Sequence, residues 1–177
     1  LRALSLPHGK TLWEKDLATG KEPFHDIDGA LVVEGDRVYV ATFEGVVMAL
    51  SKTRGEILWS QEIGSGVQIL LSGDILYLSG SDGHLYALSK KEGSRIWDQK
   101  IGDGALTAPA LYKNILAVGL SDTTINFLRA TDGKILARRF ARKGISSDPI
   151  VISEGDIGRI LYLSNGGRLY SLKFVQK

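Results

Sequence analysis

The sequence has 177 residues, a net charge of +2, 44% apolar and 24% charged residues, and no cysteine. This is a globular composition without any apolar run near the roughly 18 residues of a membrane-spanning helix. It excludes disulfides, zinc–thiolate sites and thiol catalysis, and the charge is too small to argue for nucleic acid.

Read from its start, the chain opens on Ala3-Leu-Ser-Leu-Pro-His-Gly9-Lys-Thr-Leu-Trp13, which returns as Ala49-Leu-Ser-Lys-Thr-Arg-Gly55-Glu-Ile-Leu-Trp59 and as Ala87-Leu-Ser-Lys-Lys-Glu-Gly93-Ser-Arg-Ile-Trp97. A decayed copy, Phe127-Leu-Arg-Ala-Thr-Asp-Gly133-Lys-Ile-Leu-Ala137, lacks the tryptophan, and Leu169-Tyr-Ser-Leu-Lys begins a fifth. Positions 13, 59, 97 and 137 are spaced by 46, 38 and 40. Self-similarity near forty residues in β-rich sequence is the mark of propeller blades.

Residues 1–28 supply a third and fourth strand and a loop of a preceding or closing blade. The unit 29–65 then reads as four strands: Ala30–Val33, Arg37–Thr42, Val46–Leu50 and Glu56–Gln61. They are β-branched or aromatic runs bounded by Gly and Asp. The unit 66–103 repeats this, with Ser81-Asp-Gly83 predicted as a type I′ hairpin turn, both central residues needing positive φ. The unit 104–143 is the degenerate one, and 144–177 is an incomplete blade of three strands. The predicted fold class is all-β: a propeller of four-stranded antiparallel blades, about four in this chain. No segment has helical periodicity.

The phrase resembles the repeat of the quinoprotein-type β-propellers, which usually carry Asp where Ser5, Ser51 and Ser89 stand. Within them the order of features is similar to the BamB family of outer-membrane assembly factors, in its C-terminal half. The matching features are Asp26-Ile-Asp28 before a Val-rich strand, Gly35-Asp-Arg-Val-Tyr39, Leu106-Thr-Ala-Pro-Ala-Leu-Tyr112, the copy without Trp, and Ser147-Asp-Pro-Ile-Val151 before the ending. The resemblance implies an eight-bladed ring, of which this chain is half. It implies a non-catalytic scaffold without a cofactor, at the periplasmic face of the outer membrane, binding the central BamA-like β-barrel assembly subunit. Two loops carry that contact in the family. The Asp-x-Asp loop maps onto Asp26 and Asp28; the Leu-x-Leu-Arg loop, like any lipid anchor, would lie before Leu1. The start at Leu1, without Met, suggests a piece of a longer protein.

Each candidate residue has a plainer reading beside it. Trp13, Trp59 and Trp97 are expected to pack between blades; the competing role is stacking on a quinone, as in a quinone-dependent dehydrogenase, or lining a ligand-sensing periplasmic propeller. Asp26 and Asp28, with His25 beside them, have the chemistry of a partner contact, of a cation site or of polar loop filler. Hard cations need more convergent oxygens than these. His8, His25 and His84 lie on separate turns and are expected to be solvated loop residues. Arg138-Arg-Phe-Ala-Arg-Lys143 reads as a charged outer strand that discourages edge pairing, or as a contact for an acidic partner or anionic head groups. The two ends are complementary. Two copies related by a two-fold axis would close a ring, each giving Thr11–Leu17 to the last blade of the other.

Overall fold

The computed structural model describes residues 1–17, 31–42, 45–154 and 157–174. Seventeen strands follow one another without a helix among these residues: β1 (Arg2–Leu4), β2 (Thr11–Glu14), β3 (Leu31–Glu34), β4 (Arg37–Ala41), β5 (Val47–Ser51), β6 (Ile57–Gln61), β7 (Leu70–Ser72), β8 (Ile75–Ser79), β9 (His84–Ser89), β10 (Arg95–Lys100), β11 (Ala110–Tyr112), β12 (Ile115–Gly119), β13 (Thr124–Arg129), β14 (Ile135–Phe140), β15 (Ile150–Glu154), β16 (Ile157–Leu163) and β17 (Leu169–Phe174). Consecutive strands pair antiparallel into a two-stranded sheet, three four-stranded sheets and a three-stranded sheet. This is the all-β, blade-like architecture expected from the repeat.

Middle strands of the three four-stranded sheets are buried on both faces, because each of these sheets lies between neighbours. Tyr39, Ala49 and Trp59 of β3–β6 meet Leu76, Leu78, Tyr86 and Leu88 of β7–β10. Tyr77, Ala87 and Trp97 meet Leu116, Val118 and Leu128 in the same way. Phe127 and Ile125 meet Ile160 and Tyr162. Alternating residues of one strand thus serve two different cores, so a one-residue slip would move both sets to the wrong neighbour.

Three sequence expectations change. At Ser81-Asp82-Gly83 only Gly83 takes positive φ, at 78°. The Gly83 N–H donates to Gly80 O at 3.1 Å and the Gly80 N–H to His84 O at 2.8 Å, which makes a type I turn followed by a left-handed glycine, not type I′. That longer loop matches strand twist equally well. His84 is also not a free loop residue. It starts β9, half-buried, with Nδ1 3.0 Å from Asp98 Oδ2 and its ring stacked on Tyr86 at 5.8 Å.

The third change concerns Thr11–Leu17, expected to be given to a second copy. β2 instead pairs with β1 of its own chain, Ala3 opposite Trp13, and Leu17 is buried against Val38, Val40, Met48 and Leu50. Local pairing through a short turn closes a small loop, whereas exchange would break those contacts. Among the described residues no strand pairing joins the first sheet to the last.

Candidate functional site

The repeated phrase builds one device several times. In each sheet with an outer strand, one extra residue, a β-bulge, falls just before the tryptophan position: Leu12, Leu58, Ile96 and Leu136. Such a bulge bends the strand and re-aims the next side chain. Trp59 then crosses to the following sheet and lies on Gly93; Trp97 does the same on Gly133, and Trp13 on Gly55. A Cβ on these glycines would come within 2.5, 2.6 and 2.5 Å of the indoles. Their φ values of 71°, 71° and 69° add a second requirement for glycine.

Each indole N–H donates to a carbonyl of the same turn: Trp13 to Lys52 O at 2.8 Å, Trp59 to Lys90 O at 3.0 Å, Trp97 to Ala130 O at 3.0 Å. Arg37 Nη1 also donates to Lys90 O, at 2.8 Å. Trp59 and Trp97 are 8% and 9% exposed, and Trp13 is half-buried. These rings form contacts between sheets, and their polar edges are occupied by backbone.

The third sheet departs from this plan. In the first two four-stranded sheets the cross-strand layers are Tyr39–Ala49–Trp59 and Tyr77–Ala87–Trp97. In the third the layer is Ala117–Phe127–Ala137. The aromatic ring has moved to the middle strand, and both flanks have become small. Beside the middle-strand contacts of Ile125 and Phe127, the inner strand also reaches the last sheet. There Tyr112 covers Gly158, whose Cβ would meet Tyr112 Cζ at 2.1 Å, and stacks on Phe174 at 5.0 Å. Asp148 ties the same two sheets through its Oδ1, which accepts the Ala108 N–H at 2.8 Å. A groove of about 420 Å³ remains between β14 and β17, lined by Phe127, Leu136, Ala137, Arg139, Leu172 and Lys173 among others.

Polar chemistry concentrates at one rim of the second four-stranded sheet. Tyr86 Oη donates to Asp82 Oδ2 at 2.5 Å, and the Arg95 guanidinium lies 5.1 Å from the Tyr86 ring centre. Burial pushes the Tyr86 phenol up to about 12, aided by its bond to the Asp82 carboxylate. Burial alone would raise the Asp82 carboxyl, but hydrogen bonds from Tyr86 and the His84 amide outweigh it and hold the group below its ordinary range. The cluster is internally paired. Among the described residues no three His, Cys, Asp or Glu side chains converge in a way that could hold a metal ion.

Asp26, Asp28 and His25 lie outside the described residues. The connection from β2 to β3 has 16 residues, 15–30, whereas that from β6 to β7 has 8, 62–69. Counted back from the inner strand by register, Asp26 stands where the later repeats have Gly64, Gly104 and Gly144. His8 is exposed on a turn. Arg138, Arg139, Arg142 and Lys143 are all exposed, with Phe140 between them 77% exposed.

Charge is unevenly distributed along the chain. Residues 133–177 contain nine Lys or Arg and three Asp or Glu, although the whole chain is only +2. All the ion pairs of the described residues lie at or before Asp132. This asymmetry was readable in the sequence by counting in windows, and the single basic run at Arg138–Lys143 shows only part of it.

A family model described as outer membrane protein assembly factor BamB matches residues 1–173. The protein of that name from Legionella pneumophila (strain Paris) is 32% identical over 97% of this chain and 45% of its own length. The one from Pseudomonas aeruginosa is 29% identical over 94% and 45%. The chain thus spans somewhat less than half the length of these relatives. Among solved structures, BamB from Moraxella catarrhalis superposes with a TM-score of 0.78 at 23% identity, over 98% of this chain and 52% of that one. A quinohemoprotein alcohol dehydrogenase from Comamonas testosteroni gives 0.69 at 13% identity, over 99% and 40%. The dehydrogenase shares the architecture, whereas the family match runs through the sequence nearly end to end. The chain belongs to the family of the outer membrane protein assembly factor BamB.

Proposed function

We propose that this chain is a non-catalytic scaffold of outer-membrane protein assembly. In this reading it works at the periplasmic face of that membrane, and its Asp26 and Asp28 contact basic side chains of a BamA-like barrel-assembly subunit. The observation that carries the reading is the segment before β3. It is twice as long as the connection from β6 to β7 and puts a carboxylate where the other repeats carry glycine. Long connections on a rigid scaffold are where binding residues concentrate. The named relatives are assembly factors, which agrees with it. The inner strands, with Leu31, Val32, Val33, Leu70, Leu71, Ala110, Leu111, Ile150 and Val151, offer a quinone or a polar ligand little to bond.

Charge removal at both positions tests this. The double variant Asp26→Asn, Asp28→Asn in the full-length protein should bind the barrel subunit's periplasmic domains about tenfold more weakly at low salt. The difference should narrow as salt rises, with the melting temperature unchanged. Equal affinity of variant and parent would remove the assignment.

Association of two copies is a second reading, favoured by the end faces. Leu4 and Leu12 of the first sheet, and Ile150, Leu163 and Leu169 of the last, are all exposed, and among the described residues the last sheet has no fourth strand. Two copies would cover these faces without exchanging β2. Light scattering on this 177-residue chain decides it: a particle of twice the chain mass supports the pairing, and a monomer at micromolar concentration ends it.

A further inference from the structure

Each indole of this chain lies on a glycine of the next copy of the phrase, and one glycine of the series has no ring on it. We propose that Gly9, with Leu4 and the Leu6 carbonyl, receives a tryptophan from the outer strand of one further repeat, carried ahead of Leu1 in a longer form of this polypeptide. The site is separate from Asp26 and Asp28, and the inference does not depend on the contact proposed for them.

Three observations converge on it. The turn at Gly9 has the shape of the occupied ones: the Gly9 N–H donates to Ser5 O at 2.8 Å, as Gly55, Gly93 and Gly133 donate to Ser51, Ser89 and Arg129 at 2.8, 2.8 and 2.9 Å. Yet among the described residues nothing lies within 4 Å of a Cβ built on Gly9, where the other three would strike an indole. The acceptor is also in place. The carbonyl three residues before each occupied glycine takes the indole N–H, at Lys52, Lys90 and Ala130. Leu6 O holds that position here, and among the described residues no donor reaches it. Leu4 supplies the apolar surface. Its register counterparts Leu50, Leu88 and Leu128 are fully buried, Leu88 and Leu128 in the clusters of Trp59 and Trp97, whereas Leu4 is 52% exposed.

The same repeat identifies the occupant. Every contact runs forward, from a tryptophan to a glycine 34 to 42 positions later, so the ring for Gly9 belongs that far ahead of it. A second copy has none to give, because the chain's three tryptophans are already seated on Gly55, Gly93 and Gly133. The connection from β2 to β3 leaves from Glu14 and enters at Leu31, both at the far end of their strands from this turn. The named relatives, of which this chain spans 45%, are long enough to hold a further unit. A large aromatic ring seated between sheets in this way dominates the packing of its boundary.

One substitution in two lengths of the protein tests it, read by urea unfolding. In the 177-residue chain Gly9→Ala should lower the folding equilibrium constant by no more than about thirtyfold, the cost of a left-handed alanine in open space. In the longer protein the same substitution should cost about a further tenfold or more, because a seated indole must shift. Replacing the tryptophan that lies 34 to 42 positions ahead of Gly9 with alanine should abolish that extra cost. Leu4→Glu gives a second readout. It should stay within about threefold of the parent in the 177-residue chain, where the side chain reaches water, and cost the longer protein about a hundredfold or more. The proposal is overturned if the longer sequence has no tryptophan in that window, or if Gly9→Ala is equally mild in both lengths. It is also overturned if Gly9→Ala in the 177-residue chain is already as costly as Gly93→Ala, since another part of this chain or a second copy would then cover the glycine.

Discussion

Trp59 and Gly93 belong to neighbouring copies of one phrase, and the structure joins them across the boundary between sheets. The indole of the earlier copy lies on the glycine of the later one, where any Cβ would come within 2.5 Å, and its N–H reaches Lys90 O at 3.0 Å. The sequence shows Gly and Trp as members of the same repeat. Their contact partners, however, come from different repeats, so the motif records an interaction between units and not within one.

This relationship makes the two residues energetically coupled. Trp59→Ala should cost about 3–5 kcal/mol, as for other deletions of large core aromatics. Gly93→Ala in the parent should cost more than the roughly 1–2 kcal/mol of a left-handed alanine, because the indole must also move. With Trp59 already removed, the glycine substitution should fall back to that strain alone. Gly9 is a control, since it has positive φ and no atom within 4 Å of its missing Cβ. Urea unfolding of the four-member cycle measures the coupling, expected to exceed about 1 kcal/mol. Additive costs would mean that the ring and the glycine do not meet.

Asn126 is fully buried, and its Oδ1 has no hydrogen-bond partner while Nδ2 donates to Thr124 Oγ1 at 3.1 Å. The same register position in the first four-stranded sheet holds Met48, also buried. Asn126→Met should therefore stabilise the chain by about 1 kcal/mol, the cost of the unpaired oxygen outweighing the lost bond. Chemical denaturation showing a clear loss of stability would indicate that this oxygen is satisfied in solution.

Lys113 adopts φ 53° in the turn between β11 and β12, where Gly35 and Gly73 serve the first two four-stranded sheets. Lys113→Gly should relieve about 1 kcal/mol of left-handed strain. Its ammonium, 5.5 Å from the Tyr112 ring centre, returns part of that through a cation–π contact. The expected net change is a small gain in melting temperature, and a fall of several degrees would show that the contact outweighs the strain.

The Tyr86–Asp82 pair predicts a pH dependence with two limbs. The Tyr86 phenol is raised to about 12, above the usual value near 10. Its stabilisation is complete below pH 10 and is lost as pH climbs through about 12. The Asp82 carboxyl is lowered from 3.8, so its share is present above that value and fades as pH falls below it. Tyr86→Phe should be less stable than the parent by about 1 kcal/mol between pH 6 and 9, a modest figure because Asp82 is exposed. The gap should close toward both extremes. A gap independent of pH would separate the phenol from the carboxylate.

The order of sheets was legible because strand patterning and Gly or Asp turns recur at fixed offsets from a conspicuous tryptophan. What stayed hidden depends on cross-strand register. Alignment on Trp13, Trp59 and Trp97 marks Ala137 as a loss. It also puts Phe127 where Ala49 and Ala87 stand, but does not reveal that these positions form one cross-strand layer with Ala117 in place of Tyr39 and Tyr77, because they meet only after pairing. Tyr112 on Gly158 was invisible for the same reason, since the two residues are in different sheets. His84 was misjudged because its carboxylate partner Asp98 lies on the adjacent strand. Asp26 and Asp28 are proposed on family resemblance alone, and what sets their segment apart in the sequence is its length and, at Asp26, the departure from glycine.

The forward direction of every tryptophan contact bears on how the chain is made. Each indole is synthesised before the glycine it will cover, which lies in the following repeat. At roughly 5–20 residues per second, the 34 to 42 positions from each tryptophan to its glycine take about 2–8 s to appear. A chain that folded one sheet at a time from its N-terminus would present a bare indole at the leading face of each sheet until the next was in place, and that ring is where a holding factor or a premature neighbour would attach. The third four-stranded sheet, with Ala137 at that position, has no indole to leave uncovered.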